Sequence, residues 1–224
     1  MDSFPFTAIG FDLDGTLVDS ARDLGPALQH TLATTGRPPV PEGEVVKLIG
    51  GGARAMLERG LLLTGGPLPA EAFEAALAGL MDHYIAHIAD HTVPYDGCLP
   101  ALDDLATRGV VLAVVTNKAE HLARLLLDKL DLTGRFAAII GGDMLGPGRA
   151  KPRPDMIVEA IRLCAAGGRF AMVGDSTFDT GAARAAGVPS VALSFGYNDR
   201  PAADLGADAV IDHYDQLVPT LLRL

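Results

Sequence analysis

No run of lysines and arginines in this 224-residue chain is dense enough to offset a formal charge of −10. Such a balance repels phosphate backbones and anionic lipid, so nucleic acid and membrane surfaces are poor partners. Long apolar runs are missing too. "VVLAVV", Val110 to Val115, is far shorter than the roughly 18 to 20 residues of a membrane span. The N-terminus has no basic segment followed by an apolar one, so no export signal is expected. Cysteine is scarce: Cys98 and Cys164 lie far apart in sequence, which suggests reduced thiols in a cytoplasmic protein. Neither sits in a recognisable reactive context. Internal repeats and low-complexity tracts are absent.

What is present is an alternation. Beyond Gly97, short β-branched runs at 110–116, 137–142, 169–175, 190–195 and 208–211 alternate with helical stretches at 118–130, 154–166, 178–186 and 214–222. The apolar Phe6 to Asp12 adds another strand. Strand and helix in repetition predict an α/β fold, a Rossmann-like parallel sheet covered on both faces. Between Asp19 and Thr92 the strand-like runs give way to helical segments at 21–35, 41–49, 53–63 and 69–89. The expected organisation is therefore an α/β core of residues 1–18 and 93–224 with a small helical cap, 19–92, inserted into it. Hinges fall at Val18 to Asp19 and at "TVPYDG", Thr92 to Gly97.

Ligands of open parallel sheets bind outside the carboxyl ends of the strands. Polar residues gather there: Asp12 and Asp14, Thr116 and Asn117, Lys151, and Asp175 with Asp179. Residues two apart in a strand face the same side, so Asp12 and Asp14 share a site while Phe11 and Leu13 turn away. Converging carboxylates need a cation to stay ionised, and Lys151 supplies a single charge. A hard divalent ion such as magnesium fits that deficit. Plainer roles compete. Asp175, Ser176 or Thr177 can cap the following helix, Thr116 and Asn117 can cap the one near Lys118, and Lys151 can be a solvated loop residue.

Taken in order, "DLDGTLVDS", "TN", "KPRPD" and "GDSTFD" resemble the four signatures of the haloacid dehalogenase superfamily of phosphohydrolases, over essentially the whole chain. The helical insertion resembles that superfamily's cap. "LIGGGARAMLERGL", Leu48 to Leu61, is similar to the glycine-containing cap segment of its phosphoglycolate phosphatase-like group. The resemblance implies that Asp12 is the nucleophile and carries a transient aspartyl phosphate, with Asp14 as acid and base. It implies that Thr116 and Asn117 hold the phosphoryl oxygens and that Lys151 neutralises developing charge. Magnesium is expected on Asp12, the backbone carbonyl of Asp14, and Asp175, with Asp179 reaching a metal-bound water or pairing with Lys151. The implied partner is a small phosphorylated metabolite, phosphoglycolate first; monomer and homodimer are left undecided.

In the cap, Gly51 and Gly52 let backbone approach the site and Arg54 offers a fork for an anion. Equally, the glycines merely separate two helices and Arg54 faces solvent. Lys47 is a further candidate. His83, His87 and His91, four apart on an expected helix, have a spacing that can bind zinc, against the plainer reading of an exposed stripe. "GGDMLGPGRAKP" matches no nucleotide-binding loop and reads as the loop presenting Lys151. The alternatives to a phosphoglycolate phosphatase are a sugar-phosphate or pyrophosphate phosphatase, a phosphosugar mutase of the same superfamily, and a receiver-type signalling module. Dehalogenation is disfavoured because Asp14 supplies an acid and base that it does not need.

Overall fold

The computed structural model describes residues 4–224, so the first three residues of the expected core unit lie outside it. Along the chain run β1 (Ala8–Phe11), β2 (Val18–Asp19), the helices α1 (Ala21–Thr34), α2 (Glu42–Val45), α3 (Ala53–Leu63) and α4 (Ala70–Ala86), and then β3 (Val93–Pro94). There follow α5 (Cys98–Thr107), β4 (Val111–Val115), α6 (Glu120–Lys129), β5 (Ala138–Ile140), α7 (Asp155–Ala160), β6 (Phe170–Gly174), α8 (Thr177–Ala186), β7 (Ser190–Leu193), β8 (Ala209–Ile211) and α9 (Leu217–Leu221). Six strands form one sheet in the order β5-β4-β1-β6-β7-β8, and every neighbouring pair is parallel. No helix among the described residues is long and apolar enough to cross a membrane.

The central strands, AIGF in β1 and FAMVG in β6, are buried throughout, as expected when helices cover both faces. Alternation sorts their side chains. Ile9, Phe11, Val114 and Val173 enter one apolar core, which extends into the cap helices. Ala8, Val115, Phe170 and Met172 enter the other, against α7 and α8. Charged or polar groups therefore emerge only where the strands end, and they emerge together because β1 and β6 are neighbours.

Helix α5 has no counterpart among the sequence-based expectations. Its signal is present: Cys98, Ala101, Leu102 and Leu105 are buried at helical spacing, with Pro100 in the first turn where its missing N–H costs little. Expected helices also end early. The segment from Pro154 to Ala166 is α-helical to Ala160 and continues as a π-helical turn over Ile161–Ala165, and α4 stops at Ala86.

Helices α1 to α4, the segment expected to form the cap, lie between β2 and β3, which pair antiparallel as Val18 with Pro94 and Asp19 with Val93. The two crossings between cap and core are thus bonded to each other. Asp23 in the first turn of α1 reinforces them. Its carboxylate, 2% exposed, accepts from the backbone N–H of His91 and from the N–H and hydroxyl of Thr92 at 2.6–3.1 Å. Asp23→Ala would leave those donors buried and unpaired, which costs on the order of 2–3 kcal/mol. Urea unfolding should show that loss, and an unchanged midpoint would refute the clamp.

Candidate active site

Asp12 follows β1 directly, its N–H bonded to Val173 of β6 at 2.9 Å. One carboxylate oxygen accepts from the Leu13 N–H at 2.7 Å and lies 3.0 Å from Lys151 Nζ. The Lys151 side chain is fully buried, and its ammonium also donates to Asp179 at 2.6 Å and to the Val115 carbonyl at 2.7 Å. All three of its protons have acceptors. Burial works against that charge, but Asp12 and Asp179 outweigh it and raise the pKa of Lys151. The loop carrying Lys151 is fixed by Asn117, whose side-chain amide donates to the Lys151 carbonyl and accepts from its N–H. The Asn117 side-chain amide is thus engaged by this backbone. Thr116, 1% exposed, accepts the Lys118 N–H at 3.2 Å.

Asp175 follows β6 and is held by the Thr16 hydroxyl at 3.1 Å and the Tyr197 N–H at 2.5 Å. Gly15, at φ +80°, makes this approach possible, because a Cβ there would sit 2.3 Å from an Asp175 carboxylate oxygen. Asp179 accepts from the N–H and hydroxyl of Ser176 at 3.1 and 2.7 Å, closing a capping box on α8, and its other oxygen takes Lys151. It serves as helix cap and lysine partner at once.

Carboxylate oxygens of Asp12, Asp175 and Asp179 lie within 4.8 Å of one another. Burial pushes the Asp12 carboxyl up to about 6 against the pull of Lys151, with Asp179 adding to the rise. Burial, with Asp179 and Asp12 close by, drives Asp175 well above the ordinary carboxylate range. Negative charge is in excess, and the ligands are all oxygen. That donor set fits a hard divalent cation.

Asp14 faces the same space but meets a different cation. Lys118, which the sequence reading passed over as the start of a helix, places Nζ 3.0 and 2.9 Å from the two Asp14 oxygens, and the Ser20 hydroxyl donates to Asp14 at 2.6 Å. A lysine three residues beyond the end of β4 is the available signal. From the cap, Tyr84 of α4 lies under this ammonium, 4.7 Å from ring centre to Nζ. These groups line one cavity of about 730 Å³ between cap and core, with Gly50, Gly51 and Gly52 forming part of its wall. Those three glycines run at φ +101°, +75° and +91°, a stretch of backbone that side chains would strain. A Cβ on Gly52 would sit 3.6 Å from the Asn117 carbonyl, so the segment rests on the core site.

Other candidates part company with the site. Arg54 stands at the cavity rim, but both arms of its guanidinium bind Glu74 at 2.9 Å and the group lies over Phe73. The expected anion fork is therefore occupied by a cap carboxylate. Lys47 pairs with Glu44 on the surface. The histidine stripe is not built as expected, because α4 ends at Ala86 and His91 lies beyond it. His83 instead stacks on His30 of α1 at 4.2 Å and lies 4.7 Å from His87. Among the described residues the single group of three able to hold a metal is Asp12, Asp175 and Asp179. Cys98 and Cys164 are free and buried, and burial pushes the Cys98 thiol up to about 12, outside the reactive range.

The family of Haloacid dehalogenase-like hydrolases matches residues 9–193. The chain belongs to that family, and it is a hydrolase. It is 46% identical to the phosphoglycolate phosphatase of Caulobacter vibrioides over 209 residues, covering 92% of this chain and 86% of that one. To the phosphoglycolate phosphatase of Agrobacterium fabrum it is 43% identical, over 100% of this chain and 96% of that one. A solved structure, a predicted phosphoglycolate phosphatase from Haemophilus somnus, superposes with a TM-score of 0.89 at 28% identity, covering 96% of this chain and 98% of that one. The receiver alternative does not survive this match.

Electrostatics at Asp12 can be checked directly. A carboxyl whose folded pKa is raised to about 6 contributes stability that is full below its unfolded pKa of about 3.9 and lost as pH rises through 6. Without divalent cations, Asp12→Asn should therefore be more stable than the parent at pH 7, by on the order of 2–3 kcal/mol. The gap should close below about pH 4, where both side chains are neutral. Thermal unfolding across that range measures it, and a gap independent of pH would contradict the charge assignment.

Proposed function

We propose that this chain is a magnesium-dependent phosphomonoester hydrolase acting on 2-phosphoglycolate through an aspartyl-phosphate intermediate. The observation that carries the reading is the pair of converging carboxylates, half-buried Asp12 on Lys151 and buried Asp175, facing a cavity that also holds Asp14. The identities of 46% and 43% with phosphoglycolate phosphatases support the substrate.

Asp12 attacks phosphorus, and the bond to the ester oxygen breaks as the bond to the carboxylate forms. Asp14 protonates the departing oxygen; it then takes a proton from the water that attacks the aspartyl phosphate, which regenerates Asp12 and frees inorganic phosphate. Lys151, locked between Asp12 and Asp179, keeps the nucleophile oriented and offsets charge on the phosphoryl oxygens. Thr116 lies at the phosphoryl side, while Asn117 acts through the Lys151 loop. Asp12 and Asp175, with the Asp14 carbonyl, would hold magnesium, which would supply charge neutralisation that one lysine cannot. The cap, with Gly51 and Gly52 on the site and Arg54 at its rim, limits access of water. Two unbridged thiols suit a reducing compartment, the cytoplasm.

Purified protein with magnesium should release phosphate from 2-phosphoglycolate, and a chelator should abolish that release. Asp12→Asn should lower kcat by roughly 10³-fold or more, as loss of a nucleophile does. Full turnover by that variant would exclude the mechanism. A metabolite-phosphate panel tests the substrate, and a sugar phosphate consumed far faster than phosphoglycolate would replace it.

A further inference from the structure

Lys118 and Tyr84 form a feature of the cavity that the reaction described above does not use. The Lys118 side chain is 5% exposed, yet its ammonium has a single carboxylate partner, Asp14. Lys151, equally enclosed in the same site, bridges two carboxylates and a carbonyl. Burial opposes the charge on Lys118, but the Asp14 carboxylate outweighs it and holds the group above lysine's ordinary range. It is a resident cation with donor capacity left over.

Tyr84 supplies the independent observation. Its hydroxyl is the one buried side-chain polar atom among the described residues that lacks a hydrogen-bond partner, on a residue 1% exposed. Buried polar groups are nearly always paired, and an orphan lining a cavity marks a place where a ligand atom completes the set. Leu24, Met56, Met81 and Leu122 line the same cavity. An apolar surround of that kind strengthens the attraction of an ammonium for an anion.

We infer that Lys118 from the core and Tyr84 from the cap together bind a carboxylate on the substrate's leaving group, selecting phosphate esters of short hydroxy acids. The ammonium bridges Asp14 and the incoming carboxylate as Lys151 bridges Asp12 and Asp179, while the Tyr84 hydroxyl donates to the carboxylate's second oxygen. Ser20 keeps hold of Asp14 throughout. The inference rests on the proposed role of Asp14 at the leaving oxygen. Lys118 sits 2.9–3.0 Å from Asp14, so the acid group has to lie close to that oxygen, as it does in an ester of an α-hydroxy acid. Contacts from both halves of the molecule also make the acid a bridge that draws the cap onto the core.

The test compares kcat/KM for 2-phosphoglycolate with that for ethyl phosphate, which has the same chain length and no carboxylate. The parent should strongly prefer the acid. Lys118→Met should reduce that preference at least about 30-fold, and Tyr84→Phe about 10-fold, the scale of a hydrogen bond to a charged group. Because the lost hydroxyl is unpaired, Tyr84→Phe should keep the parent's melting temperature, which separates recognition from folding. Glycolate, the product acid, should raise the parent's melting temperature more than that of Tyr84→Phe. A preference unchanged in both variants, or a parent that takes both esters equally, overturns the inference and leaves the phosphatase standing. A parent that hydrolyses neither ester overturns both.

Discussion

Three converging carboxylates, two of them on one buried ammonium, set the terms for the rest of the molecule. Asp12, Asp175 and Asp179 meet because β1 and β6 are parallel neighbours and because α8 begins at once after β6. A sheet buried on both faces has nowhere else to place such groups than at its strand ends. Lys151 offsets part of the charge, and it is held by Asn117 gripping its peptide from the end of the neighbouring strand β4. Burial, together with the mutual repulsion of the carboxylates, raises the pKa of Asp12 and of Asp175.

The same centre reaches into the cap through a short chain of contacts. The Tyr197 N–H holds Asp175, while its hydroxyl accepts from the Ala21 N–H at 2.7 Å and donates to Asp19 at 3.0 Å, where the chain leaves the core. Asp23 ties the start of α1 to the returning segment, and the paired strands β2 and β3 bind the two crossings together. On the far side of the cavity, Lys118 and Tyr84 join core and cap through an ammonium and a ring. The strand-end carboxylates and the inserted helices are therefore connected by polar contacts as well as by apolar packing.

Much of this was legible in the sequence, for a physical reason. Polar residues follow the apolar strands directly, so "DLDGT" and "GDSTFD" mark both an element and its end, and the fold brings Asp12 and Asp175 to within 4.8 Å of each other. What escaped depends on contacts distant in sequence. Lys118 reads as the start of a helix until Asp14, 104 residues away, is brought against it. Arg54 reads as a free fork until the fold supplies Glu74. The Asn117 amide looks available until its partner proves to be the Lys151 backbone. His91 fails for a local reason, since α4 stops before it, and α5 has a readable spacing but lies just beyond the expected hinge, in a stretch to which the sequence reading assigns no element.

The claim at the centre is that excess carboxylate charge makes the site a receptor for a divalent cation. Calorimetric titration of magnesium near pH 6, repeated in buffers of different ionisation enthalpy, measures the protons displaced on binding. Because Asp12 and Asp175 hold raised pKa values without metal, binding should release protons at pH 6 and tighten as pH rises toward 8. Asp175→Asn should weaken binding and diminish the release. Magnesium binding with no proton release and no dependence on pH, or no binding at all, would contradict the account.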